Sequence, residues 1–247
     1  MTLSPSADQF AISGTFNFRD VGGLRTVDGA TTRPGILLRS AQLSGLDERG
    51  LATLRELRVT DVHDLRGRAE IDHIGHDTLP DGVRLHITPF DSRMDDAPPH
   101  EARTSSARTH MIEVYRHFPT LPEAHTAITR LAGSIIAGDG AALVHCAAGK
   151  DRTGWAVATL LRAVGVTEEA VYADFLASND AVEPLRRLLE PKISDGNALS
   201  VDLLGVHAEY LRTADATVRE KYGDTEGYLA EIGLTGTLRA DLRECLV

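Results

Sequence analysis

The residues His145-Cys146-Ala147-Ala148-Gly149-Lys150-Asp151-Arg152-Thr153-Gly154 carry the chemistry that is easiest to read in this chain. A cysteine and an arginine flank five residues at the end of an apolar run, Ala141 to Val144. The residues from Thr153 to about Val164 have the pattern of a helix. Strand, tight loop and helix form a geometry that holds oxyanions, because loop N–H groups turn inward and the helix start adds positive potential. Arg152 adds a planar fork that matches two phosphate oxygens. The same field favours the thiolate of Cys146, since reactive cysteines beside cations and helix N-termini titrate at roughly 3.5–7.5. One loop thus offers a nucleophile and a cradle for a phosphoryl group, with Ala147, Ala148, Gly149, Lys150, Asp151 and Arg152 as its binding residues.

Other readings of the loop are weaker. Gly149-Lys150 looks like the core of a nucleotide-binding P-loop, but Lys150 is followed by Asp151 rather than Ser or Thr. The glycine that motif requires five positions before Gly149 is Val144. A sulfur-transfer loop also sets a cysteine before an arginine, generally with fewer residues between them. A buried cysteine ahead of an ordinary capped helix is the bland alternative.

HCAAGKDRTG resembles the signature of cysteine-dependent phosphatases, and specifically of the bacterial tyrosine/lipid phosphatase family with a Lys-Asp pair in the loop. Gly14 to Gly23 resembles that family's N-terminal "NFRD-x-GG" block. Arg33-Pro34-Gly35 with Leu38-Arg39-Ser40, Asp64-Leu65-Arg66 with Glu70, Tyr222-Gly223 and Tyr228-Leu229 extend the likeness over roughly Gly14 to Leu242. The resemblance implies that Asn17, Arg19 and Asp20 lie near the pocket as supports, and that helices near 180–199 can cover the site as a lid. Two packed surface helices are the plainer reading of that segment. Arg66 either braces the loop or pairs with Glu70 at helical spacing.

In the mechanism this implies, Cys146 attacks phosphorus, water hydrolyses the phosphocysteine, and Arg152 with the loop N–H groups holds the equatorial oxygens. The Thr153 hydroxyl can donate to the Cys146 sulfur, or simply cap the helix. His145 orients the loop through backbone hydrogen bonds. An acid must protonate the leaving oxygen. Asp151, beside Arg152, and Asp91, after a predicted strand in Pro89-Phe90-Asp91-Ser92, are the two candidates; proximity favours Asp151. Lys150 either recruits multiply phosphorylated headgroups such as phosphoinositides, or is a solvated lysine. No cofactor or metal is required. Asp72-His73 and His76-Asp77 have metal-compatible spacing but no well-placed third ligand. The rival functions are a phospho-binding module without turnover, and an arsenate reductase or sulfurtransferase, the former needing Cys245 as a resolving thiol.

Composition sets the frame. At 247 residues and 42% hydrophobic, the chain can bury a sizeable core, and we expect one phosphatase domain over 1–247 with residues 1–12 frayed. The net charge of −10 argues against nucleic acid as a partner, and the expected one is a phosphorylated protein or phosphoinositide. No run of about 20 apolar residues predicts membrane insertion. The start lacks a signal-peptide pattern, and two distant cysteines fit a reducing compartment, so the expected location is cytoplasmic, export by another route aside. Strands are expected at 35–40, 60–65, 83–90 and 141–145, and helices at 47–57, 109–118, 121–137, 153–164, 167–178, 180–190, 200–221, 225–232 and 236–245. This is an α/β fold: a small, mostly parallel sheet flanked by helices, with a helical C-terminal part.

Overall fold

The computed structural model describes residues 11–90, 107–189 and 200–247. Asp91 and residues 190–199 of the candidate lid lie outside them. The fold is α/β. Among the described residues a five-stranded sheet runs β3 (Arg19–Asp20), β4 (Leu37–Ser40), β7 (Ala141–His145), β5 (Val59–Asp64), β6 (Arg84–Ile87), in that spatial order. Only the β3–β4 pair is antiparallel. β7 is central, and Ser40 and Asp64 stand on either side of His145 in register. Three parallel strands therefore end together, and the loop that leaves β7 rises from the middle of that edge, where open α/β sheets place their ligands.

Alternate residues of the strands feed two apolar cores. Leu37, Ala142 and Val144 face the larger one, with Ile128, Leu131 and Ile135 of α4 (Pro122–Ala137), Val157 and Leu161 of α5 (Arg152–Ala163) and residues of the C-terminal helices. Leu38, Val62 and Leu143 face the smaller one, with Leu51 and Leu54 of α1 (Glu48–Glu56). Burying a leucine-sized side chain stabilises by roughly 1.5–3 kcal/mol. Asp47 caps α1 by accepting from Arg49 N and Gly50 N. Pro122 opens α4, and Gly138, left-handed at φ 70°, closes it.

Four expectations need correction. Residues 11 and 12 are not frayed: β1 (Ala11–Ile12) pairs with β2 (Thr15–Phe16), because Ile12 has the small core to enter. The strand expected over 83–90 is only four residues long and largely exposed, as an edge strand with one neighbour can be. A short helix, α2 (Arg68–Ile74), follows β5 where none was foreseen. The expected helix over 200–221 is two, α8 (Val201–Leu204) and α9 (Ala208–Tyr222), because Gly205 is extended and pressed against Asn179, whose side chain bonds both Val206 N and Val206 O.

The remaining helices are α3 (Ala107–His117), α6 (Glu168–Ala177), α7 (Val182–Leu189), α10 (Thr225–Glu231) and α11 (Gly236–Leu246). Among the described residues no helix is long and apolar enough to cross a membrane.

Candidate active site

Every carbonyl of the loop from Cys146 to Asp151 is engaged. The Cys146 carbonyl lies 3.2 Å from His145 Nδ1. Those of Ala147, Ala148 and Gly149 accept from Gln42 N at 3.2 Å, Asn17 Nδ2 at 3.0 Å and Arg39 Nη2 at 2.8 Å. Lys150 and Asp151 carbonyls accept the first bonds of α5, from Gly154 N and Trp155 N. A trans peptide points its N–H opposite to its C=O, and no peptide here is cis. With the carbonyls drawn away, the N–H groups are directed to the other side, as a nest for an anion. Asp151 holds the N-cap position of α5 without a side-chain cap bond, so the helix start is not blocked by its own carboxylate.

Two backbone features fix that shape. Gly149 is left-handed at φ 68°, and a Cβ there would sit 2.0 Å from the Ser40 carbonyl oxygen. Asn17, at φ 53°, takes a conformation that non-glycine residues seldom adopt. Its amide spans Ala148 O on one side and Arg19 Nη1, at 2.6 Å, on the other.

Cys146 sits at the base of the loop, almost fully buried. Burial is the strongest single influence on its thiol and raises the pKa. The Arg152 charge and the side-chain and backbone donors of Thr153 outweigh it, Asp151 opposing, so the net pKa lies below the ordinary thiol value. The Thr153 hydroxyl is buried without a well-aligned bond. It is near enough to the sulfur to favour the thiolate, and an ionised sulfur would be its acceptor.

Arg152 is held by Glu70 through two parallel bonds, Nη1 to Oε2 at 2.5 Å and Nη2 to Oε1 at 2.6 Å. Glu70 also accepts from Gly67 N at 2.9 Å, at the start of α2. Of the two readings of Arg66, the pair with Glu70 does not form: Arg66 is wholly buried and forks onto Asp64 and Asp77. Asp77 turns inward, whereas Asp72, His73 and His76 are exposed, so the metal-like spacing of those four does not gather in space.

Behind the loop lies a second buried charge cluster. Asp174 of α6 accepts from Arg19 Nε at 2.7 Å and Arg39 Nη1 at 2.5 Å, and the Ser178 hydroxyl accepts from Arg19 at 3.1 Å. Burial depresses the Arg39 guanidinium to about 10. The expected support role of Asn17 and Arg19 has a geometric basis here. Asp20 is different: it accepts from Gly22 N and Gly35 N and shapes the β3–β4 connection.

Lys150 is not solvated. It is 5% exposed, and its Nζ bonds Asp151 Oδ2 at 2.6 Å and the Gly205 carbonyl at 3.3 Å. Tyr115 of α3 donates to the other Asp151 oxygen at 2.9 Å. Tyr115 and Asp174 lie far from the loop in sequence and belong to no motif that sequence reading could isolate, and Asp77 stood out only for its metal-compatible spacing. Cys245, a free thiol, lines a cavity with Gly140 and Ala141 at the opposite end of β7 from Cys146. The five residues of β7 run about 16 Å from that end to the loop, which places Cys245 away from the position of a resolving thiol.

The sequence profile described as "Tyrosine phosphatase family" matches residues 10–247. The chain is 38% identical over 263 residues to the triple specificity protein phosphatase PtpB of Mycobacterium tuberculosis, covering 91% of this chain and 94% of that one. A Cupriavidus necator protein whose name refers to a tyrosine-protein phosphatase is 30% identical over 226 residues, covering 87% and 80%. Among solved structures, P. aeruginosa TpbA aligns with TM-score 0.40 at 17% identity, covering 80% and 86%. The site is that of a cysteine-dependent phosphatase. The chain belongs to the bacterial tyrosine phosphatase family.

Proposed function

We propose that this enzyme hydrolyses phosphomonoesters without a metal, through a phosphocysteine on Cys146, with phosphotyrosine as a substrate and phosphoserine, phosphothreonine or phosphoinositide headgroups as further ones. The supporting observation is the loop itself: outward carbonyls, a low thiol pKa and a clamped arginine at one point. The "triple specificity" in the name of the M. tuberculosis relative supports the breadth.

Cys146 Sγ attacks phosphorus as the bond to the leaving oxygen breaks, and Arg152 with the loop N–H groups takes the equatorial charge. For the acid step Asp151 takes up a proton in place of the Lys150 bond and gives it to the leaving oxygen. Water then attacks the phosphocysteine, Asp151 accepting its proton, and phosphate leaves with the Cys146 thiolate restored. Thr153 stabilises that thiolate in both steps. Asp151 is favoured over Asp91 because it stands beside Arg152 at the loop's end. Lys150, tied to Asp151, serves a second phosphate by leaving the Gly205 carbonyl. We read the whole chain as one phosphatase domain, with 180–199 as the region to test for a lid and the cytoplasm as its place.

The deciding experiment is phosphate release in the presence of a chelator, wild type against Cys146→Ser, on a phosphotyrosyl peptide, a phosphoseryl peptide and a phosphoinositide. Loss of turnover with retained binding supports the phosphocysteine route. Full activity in the serine variant overturns it.

A further inference from the structure

His145 ends β7 with its imidazole wholly buried. Nδ1 lies 3.2 Å from the Cys146 carbonyl and Nε2 lies 2.8 Å from Asp77 Oδ2. A backbone carbonyl only accepts, so Nδ1 carries a proton. Asp77 Oδ1 already accepts from Arg66 Nη2 at 2.9 Å and from Leu43 N at 3.1 Å. Donors converging on one carboxyl favour its ionised form, and a carboxylate also only accepts. Nε2 must then carry a proton too. A ring with both nitrogens protonated is an imidazolium.

The surrounding charges agree. His145 faces His63 and Asp64 from β5, Arg66 just beyond that strand, Asp77 from the segment after α2, and Cys146 at its own end. His63 is buried and depressed to about 3, so it stays neutral. Asp64, Asp77, Arg66 and a protonated His145 then sum to zero, whereas a neutral His145 would leave a net negative charge buried beside the nucleophile. Burial alone pushes the His145 pKa down; the bond and charge of Asp77, with Asp64, carry it above the ordinary value. Ligand atoms of Asp64, Asp77 and His145 lie close enough to suit a cation, and the Arg66 guanidinium occupies that role, bonding both carboxylates.

We propose that Asp77 is a positioning residue that keeps His145 doubly protonated, so that a fixed imidazolium anchors the Cys146 carbonyl and biases Cys146 toward its thiolate. The pair is a buried dipole with its positive end toward Cys146. This rests on Cys146 being the nucleophile, and it concerns the protonation of a residue that touches no substrate.

Two measurements on the full chain test it. The first is the 15N spectrum of His145 near pH 8, about 1.5 units above the ordinary imidazole value. Both nitrogens protonated is the expected result; one unprotonated nitrogen overturns the proposal. The second is the Cys146 pKa, read from the pH dependence of alkylation at Cys146, in wild type, Asp77→Asn and Asp77→Glu. Asp77→Asn should raise that pKa by about one unit and move the acid limb of the kcat/KM–pH profile for p-nitrophenyl phosphate up by the same amount. Asp77→Glu should recover part of both. An unchanged Cys146 pKa in a folded Asp77→Asn protein overturns the proposal. If that variant does not fold, the wild-type spectrum still decides. The 15N spectrum and the alkylation pKa do not depend on turnover, so failure here is separable from failure of the phosphocysteine route, which the serine variant reports.

Discussion

Glu70 and Arg152 form a two-point clamp: both terminal nitrogens of the arginine rest on the two oxygens of one carboxylate, at 2.5 and 2.6 Å. An arginine held on that edge keeps its plane fixed and arrives at the phosphoryl group without first being ordered. The clamp comes from α2, which is seated by its buried Ile71. Glu70→Gln should therefore lower kcat/KM by about 10²-fold, through kcat more than KM. Stability should fall by about 3 kcal/mol, since a buried guanidinium loses its counter-charge. Steady-state kinetics with thermal melting checks both.

Gly149→Ala should be nearly inactive. The position is left-handed, and the added methyl would meet the Ser40 carbonyl oxygen at 2.0 Å. The loop must then lift from the end of β4, and a displacement of about 1 Å at a reacting centre costs about 10²-fold in rate. Oxyanion affinity, read by titration with vanadate, should fall in parallel. Wild-type affinity in this variant would show that the loop shape is not set at Gly149.

Asp174 links acid stability to the loop. Burial raises its pKa, but the charges and bonds of Arg39 and Arg19 more than reverse that, and the folded value lies below the ordinary one. A depressed carboxylate contributes stability that is present above its unfolded value, near 3.9, and is lost as pH falls through the folded value. Asp174→Asn should remove that dependence below about pH 4 and lower stability at pH 7 by about 3 kcal/mol, with two buried guanidinium groups left facing one another. Urea unfolding at a series of pH values measures both effects. A parallel pH dependence in wild type and variant would argue against the link.

The role of Asp151 should be visible in the leaving group. Asp151→Asn should slow hydrolysis of an alkyl phosphate by about 10²–10³-fold, and that of an activated aryl phosphate much less, because a good leaving group needs little protonation. Tyr115→Phe, which removes one of the bonds that hold this carboxylate, should give a smaller loss of the same kind. Equal losses on both substrates would point away from acid catalysis at Asp151.

Lys150→Met separates headgroup recognition from loop support. Turnover of a phosphoinositide should fall about tenfold more than that of a phosphotyrosyl peptide if Nζ reaches a second phosphate. Equal falls would assign the lysine to its bonds with Asp151 and Gly205 alone.

What the sequence by itself determined is local. Strand, loop and helix around Cys146 follow from an apolar run, a required glycine and a helix start, all within about 25 contiguous residues, and short-range sterics decide such units. The helices α1 and α4 were legible from the helical spacing of their apolar residues, Leu51 and Leu54 in one and Ile128, Leu131 and Ile135 in the other. The tertiary structure decided which side chains meet the loop. Glu70 lies 82 residues before Arg152, Asp77 lies 68 before His145, and Arg39 reaches Gly149 across 110. Charge type gave no guide to those pairings: Arg66 has Glu70 at ideal helical spacing, yet it bonds Asp64 and Asp77. Register places all three strand ends together, and a buried guanidinium takes whichever carboxylates it meets there. Burial likewise turned Lys150, an exposed cation by its residue type, into the partner of Asp151.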